Sequence, residues 1–151
     1  IYRKYIFWKS IKILLPGVLL GIAITFFLVN VISTSVKQPL DGLGVSNTIR
    51  GAVASWSKTL ANELGEFGIT VNNVLPGATS TERLNAIINS KSNKLGKSFD
   101  EVAETMKNAS PAKRFAKPEE IANAIVFLTS EKASFINGIN VPVDGGRTKS
   151  L

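Results

Sequence analysis

Cysteine and histidine are both absent from the 151 residues, and methionine occurs once, at Met106. Without cysteine there are no disulfides and no thiolate nucleophiles. Without histidine there is no Ser-His or Cys-His relay, and with neither there is no ordinary zinc site. The lack of cysteine is also compatible with a reducing cytoplasm. Acidic residues are in the minority, 11 against 18 basic ones, which gives a net charge of +7. More than half of that excess sits in Arg3, Lys4, Lys9 and Lys12. The other charges are scattered, with no basic-aromatic stripe, so the composition argues against a nucleic-acid partner. The first residue is Ile1, so the sequence reads as a piece of something longer.

Charge of either sign is missing between Lys12 and Lys37, and residues 13–32 are almost wholly apolar. Two expectations compete for this run. About 20 apolar residues can cross a bilayer as a helix, with the basic flank on the cytoplasmic side, which would make an anchor. The favoured alternative treats residues 1–25 as a leader containing the end of a helix. Phe26 to Ile32 is then a buried parallel strand, because strands covered on both faces are continuously apolar.

Beyond the strand, Pro39, Gly42 and Gly44 mark a loop, and a helix is predicted over 46–64. Ile49, Val53, Trp56, Leu60 and Leu64 recur at helical spacing and predict its buried face. Ser46, at the helix start, reads first as an N-cap. A strand over 69–75 is closed by Pro76 and Gly77. Residues 79–117 are polar and helix-prone, with Ser98 and Glu101 spaced as a capping box. Pro118, Glu119 and Glu120 open a helix predicted over 118–130. A turn at Asn137-Gly138 leads to a strand over 139–143, where Pro142 predicts a sheet edge. Asp144-Gly145-Gly146 follows as a turn. The expected fold is α/β, with three parallel strands adjacent in chain order and helices as right-handed crossovers.

Several signatures agree in order: a strand ending in hydroxyls, Ser46-Asn47-Thr48-Ile49-Arg50 running into small residues, Val71-Asn72 before Pro76-Gly77, Pro118-Glu119-Glu120-Ile121-Ala122, and Val143-Asp144-Gly145-Gly146. Together they resemble the short-chain dehydrogenase/reductase family, and within it the 3-oxoacyl-(acyl carrier protein) reductases and sugar dehydrogenases. The resemblance implies the C-terminal half of a Rossmann-type doubly wound parallel sheet, a partial dinucleotide-binding domain over 26–151. It implies NAD or NADP as cofactor and hydride transfer to or from a small carbonyl or alcohol substrate. It also implies a cytoplasmic homo-oligomer that pairs through the 46–64 helix and through the last helix and strand.

In the family, a tyrosine and a lysine four residues apart carry the proton and hold the nicotinamide ribose. Their positions here hold Ser46 and Arg50. Serine is far less acidic than a phenol with a pKa near 10, and an arginine side chain stays protonated in proteins. Thr34 is the expected strand-end hydroxyl that orients the substrate oxygen, with Ser33 and Ser35 reached by a shift of register. Pro76, Gly77, Thr81 and Arg50 are the expected cofactor contacts. Thr81 and Asn72 also have plain structural readings, as a helix cap and a buried hydrogen-bonder. The family's glycine-rich phosphate turn has no counterpart, since Gly42-Leu43-Gly44 lacks the third glycine. The sequence therefore predicts little or no activity from this chain alone. A non-catalytic assembly subunit and a membrane-anchored protein are the alternatives.

Overall fold

A computed structural model describes residues 26–150. The leader, Tyr2 and Tyr5, and the part of the apolar run before Phe26 lie outside the described residues. Three strands form one parallel sheet: β1 (Phe27–Val31), β2 (Thr70–Pro76) and β3 (Asn140–Val143), in the order β1-β2-β3. Four helices accompany them: α1 (Gly44–Leu64), α2 (Glu82–Leu95), α3 (Phe99–Asn108) and α4 (Pro118–Leu128). The family-level expectation of three adjacent parallel strands holds, and each strand falls within a residue of its predicted limits.

The second half of the apolar run is therefore a strand, but not the fully buried one expected. None of Phe27–Val31 is buried, and Leu28 and Val31 are 45% and 55% exposed, since only one flank of β1 meets another described strand. Among the described residues no helix is long and apolar enough to cross a membrane. β2 is central, and Thr70 to Leu75 are all buried. Each of its larger aliphatic side chains contributes about 1.5–3 kcal/mol by leaving water. β3 is an edge strand, and its Pro142 stands opposite Leu75, where a missing backbone donor is tolerated.

Alternation along β2 assigns the two faces. Val74 packs with Ile121, Leu128 and Ala133, so α4 covers one face. Asn73 belongs to the other face, beneath α1. There Asn30 and Asn73 are register partners, and Asn73 and Asn140 are too. Asn30 Nδ2 donates to Asn73 Oδ1 at 3.2 Å and to Ser57 Oγ at 3.0 Å, while Asn73 Nδ2 donates to Asn140 Oδ1 at 2.8 Å. This amide ladder crosses all three strands and ties α1 to the sheet.

The face that α1 buries is shifted from the predicted one, whose Val53, Leu60 and Leu64 are only half-covered, towards the small residues beside it. Ala54, Ser57 and Ala61 are buried, whereas Ile49 and Trp56 are 58% and 55% exposed. Small side chains let the helix approach the sheet closely enough for Ser57 to reach Asn30. The bulky stripe is thereby turned away. The helix also begins at Gly44, two residues before the predicted start, and its N-cap position is Leu43, with no side-chain cap. Ser46 is thus the third helical residue and not an N-cap. At the other end Gly68, with φ 72°, makes the left-handed turn that a side chain would strain.

α2 and α3 form a separate unit with its own apolar cluster of Leu84, Ile88, Val102 and Ala103. The predicted capping box opens α3: Ser98 Oγ accepts from Glu101 N, and Ser98 N donates to Glu101 Oε2 at 2.8 Å. These bonds hold the Glu101 carboxyl below its ordinary value. α4 begins at Pro118 as predicted and ends at Leu128, two residues before the predicted limit.

Candidate functional site

In an open parallel sheet, ligands bind beyond the carboxyl ends of the strands. β1 ends here in a short 3-10 turn, Thr34–Val36, in which both Thr34 and Ser35 are buried. Ser33 is committed to that turn, its hydroxyl accepting from Ser35 N at 3.1 Å. The Ser35 hydroxyl has no hydrogen-bond partner among the described residues. A buried, unpaired hydroxyl costs free energy unless something satisfies it, so it is a candidate ligand contact. The sequence reading preferred Thr34. The turn buries Thr34 as well, but the unpaired group is the one next to it. The Ser-Thr-Ser run left the register open, and only the turn geometry separates the three.

α1 packs against this turn. Ser46 and Arg50 stand four apart near its start and so share one helix face. Both are partly covered, and neither side chain makes a hydrogen bond or ion pair among the described residues. Asn47, between them, was not singled out in the sequence. Its Nδ2 donates to Leu40 O at 2.9 Å and pins the preceding loop. Its Oδ1 is buried and unpaired. The open end of β1 and the head of α1 therefore hold an orphan hydroxyl, an orphan amide oxygen and an uncommitted guanidinium.

At the end of β2, Gly77 N donates to Val143 O at 2.9 Å. A Cβ on Gly77 would lie 2.7 Å from Asp144 Cα. The glycine is required by close approach of the two strand ends. Pro76 pairs with Val143 in the ladder, so the Pro-Gly segment is fixed by strand packing. Thr81 is exposed and caps α2, its hydroxyl accepting from Leu84 N at 3.3 Å and donating to Thr79 O at 3.3 Å. Thr81 thus makes the helix cap that its position in the sequence allowed. Asn72 is likewise structural: it is fully buried, donating to Ile136 O at 2.7 Å and accepting from Ile139 N at 3.2 Å.

The segment between α3 and α4 is tied down at both ends. Ala116 N donates to Ala78 O at 2.9 Å, and Ala112 N to Gly145 O at 3.1 Å. The Ser110 hydroxyl donates to Gly145 O at 2.8 Å. Lys113, at φ 55°, is the one non-glycine residue with positive φ among those described. Arg114 grips Glu120 through two bonds of 2.7 and 2.6 Å. The Arg114 hydrogen bonds, aided by Lys117 N, pull the Glu120 carboxyl down to about 2.

Residues able to meet a dinucleotide differ along its length. The orphan Ser35 hydroxyl and the unpaired Arg50 fit the nicotinamide-ribose end. Nothing described here fits the pyrophosphate, because no glycine-rich turn joins a strand to a helix N-terminus.

Comparison with known proteins agrees with this geometry. The profile of the family described as enoyl-(acyl carrier protein) reductase matches residues 26–148. Cyclohexanol dehydrogenase of a Rhodococcus species is 39% identical over 101 residues, 67% of this chain and 34% of that protein. The 3-oxoacyl-[acyl-carrier-protein] reductase FabG of Staphylococcus epidermidis is 34% identical over 115 residues, 75% of this chain and 43% of that one. Among solved structures, a short chain dehydrogenase family protein of Francisella tularensis superposes with TM-score 0.80 at 31% identity, covering 95% of this chain and 59% of that one. L-sorbose reductase of Gluconobacter frateurii, solved with NADPH and L-sorbose, superposes with TM-score 0.77 at 33% identity, covering 83% and 48%. The chain thus spans less than half the length of these curated relatives.

Proposed function

The chain belongs to the short-chain dehydrogenase/reductase family, and from that premise we propose that it is the substrate-facing part of an NAD(P)-dependent oxidoreductase with an altered proton relay. The observation that carries this reading is that the turn holding the unpaired Ser35 hydroxyl packs against α1, the helix whose first turns carry Ser46 and Arg50 with no partner among the described residues. The relatives named for cyclohexanol and L-sorbose support a small carbonyl or alcohol as substrate.

The nicotinamide cofactor supplies or accepts the hydride when bound. The chain's own residues deal with the oxygen. The hydroxyls at the end of β1, Thr34 and Ser35, donate to the carbonyl oxygen and orient it. The Arg50 guanidinium offsets negative charge developing there and contacts the nicotinamide ribose. Ser46 lies on the same face and passes a proton between that oxygen and water. As an alcohol it is a poor acid, so this step is slow compared with a tyrosine relay. Pro76, Gly77 and Thr81 form the rim on which the nicotinamide rests.

A second copy of the chain completes the reading. Val45, Ile49 and Trp56 on α1 and Val126 and Phe127 on α4 are all exposed, which is unusual for so many large apolar side chains unless a partner covers them.

The test follows NAD(P)H oxidation by the complete gene product that contains these residues, with cyclohexanone and L-sorbose as trial substrates. The restored pair, Ser46→Tyr with Arg50→Lys, is expected to raise turnover at least about tenfold, within the range of a general acid. Ser46→Ala and Arg50→Ala are expected to lower whatever activity exists. Brisk reduction that survives both alanine variants would place the chemistry elsewhere. Cofactor binding with no turnover in any variant would favour an assembly role.

A further inference from the structure

A second cluster of polar groups lies outside the proposed proton relay. It lines a cleft of about 120 Å³ between the end of β2, the base of the α2–α3 unit and the C-terminal tail. Room of that size holds several waters or one small charged group with a short apolar stem. Ala78, Met106, Ala112 and Val143 make its apolar wall.

Four charged side chains border the cleft: Arg114, Glu120, Asp144 and Arg147. Three are spoken for. Arg114 and Glu120 close on each other in a bidentate pair. The Asp144 carboxylate accepts from Gly146 N at 3.0 Å and Thr148 N at 2.8 Å. Burial works to raise the Asp144 carboxyl, but these bonds outweigh it and hold it below its ordinary value. The fourth, Arg147, is partly buried, and its guanidinium makes no hydrogen bond or ion pair among the described residues. A half-covered guanidinium with five donors unused invites an anion, which it binds best through two parallel bonds.

The tail that carries Arg147 is fixed at both ends. Asp144 ties down its start, and Lys149 N reaches Gln38 Oε1 at 3.4 Å, in the loop before α1. It thereby runs along the carboxyl ends of the strands, and Ala78 in the cleft wall directly follows Pro76-Gly77. Arg147 is held beside the proposed nicotinamide rim.

We infer that this cleft is an anion subsite in which Arg147 receives the carboxylate or phosphate of a small molecule. On the oxidoreductase reading, on which this identification rests, the ligand is a carbonyl substrate with an acidic end. The binding itself does not depend on turnover.

The experiment is an amide NMR titration of the 151-residue chain with inorganic phosphate, and separately with acetate, at constant ionic strength. The expected result is a saturable shift of the Gly145 and Arg147 amides. Arg147→Gln is expected to weaken it roughly tenfold, the effect of losing one charge-assisted contact. Lys149→Gln, on the same tail but outside the cleft, is expected to leave it unchanged. Arg147→Lys keeps the charge without the planar fork and is expected to fall between. Saturation by phosphate alone assigns a phosphate ester, and saturation by acetate assigns a carboxylate; either supports the subsite. Shifts that do not saturate, or that weaken equally in Arg147→Gln and Lys149→Gln, overturn it. Anion binding without carbonyl turnover by the complete gene product would sink only the oxidoreductase reading, and turnover without anion binding would sink only the subsite.

Discussion

Asn72 offers the sharpest test of how the sheet is held together. It sits in β2 with no exposed surface. Its amide bridges to the segment before β3, donating to Ile136 O at 2.7 Å and accepting from Ile139 N at 3.2 Å. Asn72→Ala removes both partners at once. A buried backbone group left unpaired costs about 1–3 kcal/mol, so two of them, partly relieved by entering water, should cost about 3 kcal/mol. Against a whole-domain stability of about 5–15 kcal/mol, that is a large loss. Asn72→Asp separates the two bonds. The carboxylate still accepts from Ile139 N but sets an anionic oxygen against the Ile136 carbonyl, and burial adds to the penalty. Both effects raise the folded-state carboxyl above its unfolded value near 4. A raised group contributes fully below the unfolded value and loses its contribution as pH rises through the folded one. Asn72→Asp should therefore be most stable near pH 4 and weaken towards pH 7. Urea unfolding at the two pH values measures both effects. A loss under about 1 kcal/mol for the alanine variant, or no pH dependence for the aspartate variant, would refute the bridging role.

Gly77→Ala would drive a Cβ into Asp144 backbone at 2.7 Å, so β2 and β3 must part at their ends. The expected cost is about 1–3 kcal/mol, read from thermal unfolding, and a neutral result would mean that the strand ends yield easily. Glu120 is depressed to about 2 by Arg114 and Lys117 N. Its contribution is therefore present above the ordinary glutamate value of 4.5 and lost as pH falls from there to about 2. Acid titration by circular dichroism should show a shallower loss over that window in Glu120→Gln, with a small amplitude because the pair is exposed. Trp56→Glu places a charge on the exposed stripe of α1, and sedimentation should show a smaller assembly than the parent chain. A parent chain that is already monomeric would remove that stripe from the oligomer interface.

The strands were legible because their signals are local. Ser33, Pro76 and Asp144 mark where the three strands end and a single proline marked an edge, although only β2 is buried along its length. The helix starts were legible for the same reason, since Ser98 with Glu101, and Pro118 followed by Glu119 and Glu120, act within one turn. The face of α1 was not. Periodicity identifies which large residues share a side but not what that side meets. Sheet contact here selects Ala54, Ser57 and Ala61, because the amide ladder through Asn30 needs the helix close. Two apolar surfaces were in competition, and the smaller one faces the sheet. That inversion bears on function. Large apolar residues turned away from the domain's own core leave a surface for a partner chain. The site was half legible in the same way. Residue spacing located the head of α1, but the unpaired atoms of Ser35 and Asn47, and the lone guanidinium of Arg147, emerge only once neighbouring segments have taken their own partners. A sequence names the donors and acceptors; the fold decides which of them are left over, and those are the ones available to a ligand.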